Sequence, residues 1–181
     1  MNENLKGTGQ GVYDRHAIAH TAIGDLTFVA SDDALIGIYF PQHWVGLERA
    51  NRGEEVQLHS DPVLSDAATQ LGEYLAGERT TFTIKTAAEG DEFQKRVWAI
   101  LEEIPFGQTV TYGDIAEKLG DKALARVVGK AVGSNPLSII VPCHRVVGAG
   151  GKLTGYAGGL ERKQHLLALE EPTAAAASRL F

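Results

Sequence analysis

Sulfur is nearly absent from this chain: one cysteine, Cys143, and one methionine occur in 181 residues. A lone cysteine excludes an intramolecular disulfide and any multi-cysteine zinc site, and it suits a reducing compartment. The six histidines show no metal-ligand spacing, so neither a metal nor a cofactor is expected. No apolar run reaches the roughly 18 residues that a membrane span requires. Met1 to Gly11 is polar and lacks an apolar centre, so no signal peptide is expected and a cytoplasmic location follows. Positive charge is also in deficit: 17 Lys and Arg against 23 Asp and Glu leave a net charge of −6, which by itself argues against a nucleic-acid partner. What the chain does have is 44% hydrophobic residues, enough core for one medium domain or one small and one standard domain.

The charge is unevenly placed. Residues 1–90 carry 6 basic and 13 acidic side chains, whereas Lys118 to Lys163 carries 8 basic and 2 acidic ones. A basic segment beside an acidic remainder is the footprint of a phosphate-binding face, and equally of a solvated basic surface.

Along the chain, Ala17-Ile18-Ala19, Leu26 to Ala30 and Leu35 to Phe40 are short apolar runs separated by Gly24-Asp25 and Asp32-Asp33, which predicts an antiparallel meander. Asp61-Pro62 supplies an N-cap and a first-turn proline for a helix whose stripe is Leu64, Ala67, Ala68, Leu71 and Leu75, ending at Gly77. Thr80 to Thr86 reads as a short strand. Thr86 to Gly90 is small, polar and closed by glycine, so the boundary falls there. The expected fold is α+β: a small strand-rich α/β domain over residues 1–88, a mainly helical domain over 89–171, and a frayed alanine-rich tail over 172–181.

In the second part, Phe93, Val97, Ile100, Leu101 and Ile104 form a helical stripe stopped by Pro105 and Gly107, with Trp98 packed in the core. Thr109 to Gly120 predicts a short helix, and a second runs through Ala123, Val127, Val128 and Ala131; two short helices across a tight turn suggest a helix-turn-helix. Lys122, Arg126 and Lys130, four residues apart, fall on one face of the second helix, where they either track a phosphate backbone or are simply solvated.

Cys143 lies in Val141-Pro142-Cys143-His144-Arg145-Val146. A thiol beside an imidazole and a guanidinium is placed to ionise, since nearby positive charge favours the thiolate. The competing reading is a small buried hydrophobe closing an apolar strand from Leu137 to Val141.

Six ordered stretches resemble the O6-alkylguanine-DNA alkyltransferases, the methylated-DNA–protein-cysteine methyltransferase family. They are Ile104 to Tyr112, Ala125 to Ala131, Asn135-Pro136, Pro142 to Val147, Gly155 to Leu160 and Leu166 to Glu170. The resemblance covers the C-terminal half; residues 1–85 fit only as the family's variable strand-rich domain. It implies base flipping in double-stranded DNA containing O6-alkylguanine, with O4-alkylthymine as a further candidate substrate, and irreversible transfer of the alkyl group to Cys143, one repair per molecule.

By the same resemblance His144 deprotonates the thiol through a water and is oriented by Glu170, in the manner of a triad. Independently, Glu170 stands out because a carboxylate at a helix C-terminus opposes the macrodipole, which points to a partner elsewhere. Tyr112 is implied as the donor to N3 of guanine and Arg126 as the side chain filling the space of the flipped base. Asn135 is implied as the brace of the active-site loop. Tyr156, Ala157 and Gly158 match the guanine-binding loop, Arg145 and Pro142 support the reactive loop, and Lys163 joins Lys122 and Lys130 among the DNA-facing cations. Two positions depart from the pattern: Ser138 stands where proline is frequent and Ala157 where serine or glycine is frequent. Some relatives carry zinc in the N-terminal domain; with no cysteine there, none is expected here. The implied helix-turn-helix enters the minor groove, which suits a sequence-independent search. The protein is expected to act as a monomer with no obligate protein partner. A non-enzymatic lesion-binding or alkylation-sensing regulator is the alternative, and a Cys-His hydrolase a third reading, unsupported by any separate substrate pocket. The N-terminal domain, lacking a chemical constellation, is expected only to buttress its neighbour.

Overall fold

A computed structural model describes residues 14–41 and 52–172. The three apolar runs form the expected meander: β1 (Asp14–Thr21), β2 (Gly24–Ser31) and β3 (Ala34–Tyr39) pair antiparallel in sequence order. The β1–β2 connection is a two-residue turn in which Thr21 faces Gly24. A short β4 (Glu54–Glu55) adds in parallel to the outer side of β1, giving the order β3-β2-β1-β4. At two residues it is too short to show a periodicity, and no strand is expected there from the sequence.

Helix α1 (Pro62–Leu75) starts as its cap chemistry dictates. Asp61 accepts the Leu64 amide at 2.9 Å and also pairs with the buried Arg15, so one carboxylate both caps α1 and ties it to β1. The helix ends in a glycine-capped Schellman turn, with the Gly77 amide bonded to the Tyr74 carbonyl and the Glu78 amide to that of Glu73. Its buried face is Leu64, Ala67, Gln70, Leu71 and Tyr74, packed on the sheet, while Ala68 and Leu75 lie at the margin.

Thr80 to Thr86 is not a strand. It exchanges hydrogen bonds with β3 only around Leu35, through the amide of Leu35 to Lys85 and that of Ala87 to Leu35. The polar groups that would pair in a ladder are taken by Gln70 of α1, which accepts the Thr83 amide at 2.9 Å and donates to the Thr83 hydroxyl at 3.2 Å.

Beyond Gly90 the chain is helical. Helix α2 (Glu92–Glu102) opens with an Asp91–Gln94 capping box, and its Trp98 is buried with the indole N–H donated to the Ala131 carbonyl at 2.9 Å. Strand β5 (Val110–Thr111) leads into α3 (Tyr112–Lys118), a 3-10 turn over Lys122–Leu124 and α4 (Ala125–Gly133). The helix-turn-helix expected from the glycine-closed first helix is thus present. Because α4 begins at Ala125, Lys122 precedes it and pairs with Glu117 at 3.4 Å, which leaves Arg126 and Lys130 one turn apart on its exposed face.

Leu137 to Val141 is also not a strand. Asn135 accepts the Leu137 amide at 3.0 Å and donates to the Val141 carbonyl at 2.9 Å, folding the apolar run into a tight turn. Ile139 takes φ 73° there, a left-handed conformation uncommon for a β-branched residue. A 3-10 turn over Cys143–Arg145 follows, then β6 (Val146–Val147), which pairs in parallel with β5, and α5 (Leu160–Glu170). The β3 edge meets this turn directly through the Ile38 amide and the Pro136 carbonyl at 2.8 Å. No described helix is long and apolar enough to cross a membrane.

Candidate active site

The elements converge on Cys143. It is buried at the start of its 3-10 turn, with its amide bonded to the Val141 carbonyl at 2.8 Å. Its side chain lines a cavity of about 170 Å³ together with Tyr112, Asn135, Tyr156, Ala157 and the small residues Gly129, Gly133 and Gly155. A Cβ added at Gly129 would stand 3.7 Å from the Tyr112 ring, in ordinary contact, and one at Gly133 or Gly155 would meet nothing within 4 Å.

The charge around the thiol differs from the sequence expectation. Neither cation next to Cys143 in the chain is spent on it. His144 and Arg145 both turn to Glu170: the imidazole Nε2 lies 2.8 Å from Oε1, while the Arg145 guanidinium makes a two-pronged contact, Nε to Oε2 and Nη2 to Oε1, each at 2.8 Å. Burial therefore pushes the Cys143 thiol up, opposed by the Asn135 amide and by the charge of Lys163. The resting nucleophile is a thiol that needs a base.

Glu170 is held far below the usual carboxylate range: burial would raise it, but His144, Arg145 and Tyr74 outweigh that cost. Its Oε1 accepts from three donors and its Oε2 from Arg145 and, at 3.3 Å, from the Gly107 amide. These partners answer the anomaly of a carboxylate at a helix C-terminus. Since an ionised carboxylate only accepts, it fixes the neutral His144 tautomer with the proton on Nε2. Burial lowers the His144 pKa, against the pull of Glu170. Its Nδ1 is buried and has no partner among the described residues, which leaves the basic lone pair available.

Other expected residues fall around this centre. Arg145 also donates to the Ile104 carbonyl at 2.7 Å and lies over the Phe106 ring, and Pro142 offers its carbonyl to the Arg145 amide at 3.0 Å. The Tyr112 hydroxyl accepts from Thr154 at 3.3 Å at the cavity wall. Tyr156 packs edge-on to Phe40. Gly158 lies so close to that ring that an added Cβ would stand 2.8 Å from it. Arg162 clamps the same loop to the first hairpin, donating to the Ile23 carbonyl at 2.8 Å and to that of Gly158 at 3.0 Å. Arg126 and Lys130 are exposed on α4 beside Val127, itself 48% exposed.

Lys163 is corrected. It is 0% exposed, and its ammonium donates to the carbonyls of Val146 at 2.6 Å and Thr154 at 3.0 Å, so it cannot face DNA. It is instead the cation whose field reaches the thiol.

The sequence reading missed Tyr74 altogether. Its hydroxyl donates to Glu170 Oε1 at 2.6 Å and lies 3.4 Å from His144 Nε2. The signal was a phenol on the buried face of α1, because a buried tyrosine hydroxyl usually finds a partner. Among the described residues no three His, Cys, Asp or Glu side chains group to hold a metal ion.

A buried cysteine with a carboxylate-held imidazole, set in a small cavity beside a helix-turn-helix, is the arrangement of a protein that pairs a cysteine site with a DNA-binding motif. The comparisons are specific. Residues 15–88 match the 6-O-methylguanine DNA methyltransferase ribonuclease-like domain, and residues 92–172 match the DNA binding domain of the same proteins. A methylated-DNA–protein-cysteine methyltransferase of Mycolicibacterium paratuberculosis is 57% identical over 88% of this chain and 93% of its own length. One from Methanosarcina acetivorans is 44% identical over 86% and 97%. The crystal structure of Mycobacterium tuberculosis O6-methylguanine methyltransferase superposes with a TM-score of 0.78 at 41% identity, covering 93% of this chain and 99% of that one. The same organism's protein in complex with DNA gives 0.77 at 42% identity, covering 87% and 92%. The chain belongs to the methylated-DNA–protein-cysteine methyltransferase family.

Proposed function

We propose that Cys143 is the acceptor in a direct-reversal DNA repair reaction, taking the alkyl group from O6-alkylguanine in duplex DNA. The observation that carries this reading is the His144 imidazole, tied at Nε2 to an ionised Glu170 and available at Nδ1, on the same turn as a cavity-lining thiol. His144 Nδ1 takes up the thiol proton through an intervening water. The sulfur lone pair then attacks the alkyl carbon opposite O6, the S–C bond forms as the C–O6 bond breaks, and the bonding pair leaves with the purine. Tyr112, on the cavity wall, donates a hydrogen bond to the purine as it gains electrons, and the proton taken from the thiol ends on guanine.

Asn135 holds the turn rigid, and Tyr156, Ala157 and Gly158 frame the base. Arg126 fills the space the base vacates, and Lys130 adds a phosphate contact. The thioether product has no leaving group, so each molecule acts once. A role in lesion binding alone is not favoured, since the nucleophile and its base are both in place.

The test is mass spectrometry after incubation with a duplex containing one O6-methylguanine. One methyl on the Cys143 peptide, stopping at one per protein and absent in Cys143→Ala, is expected. An unchanged mass with the lesion duplex bound would refute the assignment.

A further inference from the structure

The expectation that the N-terminal domain only buttresses its neighbour leaves one contact unexplained. Tyr74 leaves the buried face of α1, crosses between the domains and ends on the carboxylate oxygen that holds His144. We propose that Tyr74 is a positioning residue for the transfer: by hydrogen-bonding Glu170 Oε1, the N-terminal domain sets how strongly His144 takes up the thiol proton. This inference rests on the reading of Cys143 and His144 given above.

The phenol is locked rather than casually placed. Its ring is held between Phe82, 5.4 Å away, and Phe106, 6.2 Å away and perpendicular. Phe106 in turn supports the Arg145 guanidinium that grips the same carboxylate. Burial, then the bond to Glu170, holds the Tyr74 hydroxyl protonated, so at neutral pH it is always a donor. A donor on Oε1 draws off electron density that would otherwise stabilise an imidazolium at His144. The charged and titratable groups facing that imidazole are Glu170 and Lys163 from α5, Arg145 and Cys143 from its own turn, and Tyr74 from α1. Of these, Tyr74 alone comes from outside the helix-turn-helix domain.

The experiment is the single-turnover rate of methyl transfer from pH 5 to 9 for the wild-type chain, for Tyr74→Phe, and for the chain carrying 3-fluorotyrosine at position 74. Removing the donor raises the apparent pKa of the acid limb by roughly half to one unit. The fluorinated phenol, a stronger donor of nearly the same size, lowers it. A purely structural role would change the unfolding midpoint and leave all three limbs superimposed, and that result overturns the inference. Should Tyr74→Phe fail to fold, the fluorotyrosine chain still decides the matter by the sign of its shift. If the wild type transfers no methyl to Cys143, the reading of the site falls, and this inference with it.

Discussion

Replacing Glu170 by Gln tests the centre of the site most directly. The substitution keeps the volume and removes the charge, leaving the Arg145 guanidinium buried without its anion. Five donors now converge on the carboxylate, and an amide offers one accepting oxygen while bringing two donors of its own. Breaking a buried ion pair from one side costs about 3–5 kcal/mol. With a urea slope of roughly 2–3 kcal/mol/M, the denaturation midpoint falls by about 1–2 M at pH 7. The single-turnover rate drops by roughly 10²–10⁴, because the His144 tautomer is no longer imposed.

The pH dependence gives a second reading of the same change. Glu170 has a folded pKa below its ordinary value of 4.5, so its stabilisation is complete above about pH 4.5 and is lost as the pH falls towards the folded value. His144 is also lowered from 6.5, so below that pH the unfolded chain binds protons that the folded one resists, and stability falls in the same direction. The part of the gap between wild type and Glu170→Gln that the carboxylate charge supplies should therefore shrink as the pH falls below 4.5. A loss under about 1 kcal/mol at pH 7 with an unchanged transfer rate would refute this account of the cluster.

Two further changes probe the frame. Lys163→Met removes the cation whose charge favours the thiolate and strands the carbonyls of Val146 and Thr154. Iodoacetamide labelling of Cys143 against pH should then show an upward-shifted thiol, and an unshifted profile would count against any electrostatic role for Lys163. Asn135→Ala leaves the Leu137 amide and the Val141 carbonyl unpaired in the core, at a cost of about 1–3 kcal/mol for each group so stranded. Urea unfolding should show that loss, and a near-neutral result would mean the turn holds without its brace.

Local chemistry was readable where neighbours in the chain are neighbours in space. The Asp61 cap, the Asp32-Asp33 turn between β2 and β3 and the glycine-closed first helix of the helix-turn-helix all depend on residues a few positions apart. Cys143 and His144 were singled out for the same reason. Charge was a poorer guide, because it carries no information on burial. Lys163 looked like a surface cation and Arg145 like a charge for the thiol, yet Lys163 is internal among carbonyls and Arg145 is spent on a buried carboxylate. β propensity misled at Thr80 to Thr86 and Leu137 to Val141, where the side chains of Gln70 and Asn135 outcompete a strand partner for the backbone. Tyr74 was out of reach because its partners stand 70 and 96 positions downstream, a separation no local pattern encodes.

The contact between Gly107 and Glu170 has a topological consequence. Glu170 is the final residue of α5, and Gly107, with φ 80°, packs so tightly on it that a Cβ there would stand 2.9 Å from the Glu170 carbonyl oxygen. The two residues are 63 positions apart and bracket β5, the helix-turn-helix, the reactive turn and most of α5. This stretch of chain is therefore a closed loop whose clasp is the carboxylate itself. Closure of this loop therefore depends on the last residue of α5 keeping its helical place, where five donors hold its carboxylate. One pair of oxygens thus joins the two ends of a 63-residue stretch, and the same pair gathers Tyr74, His144 and Arg145.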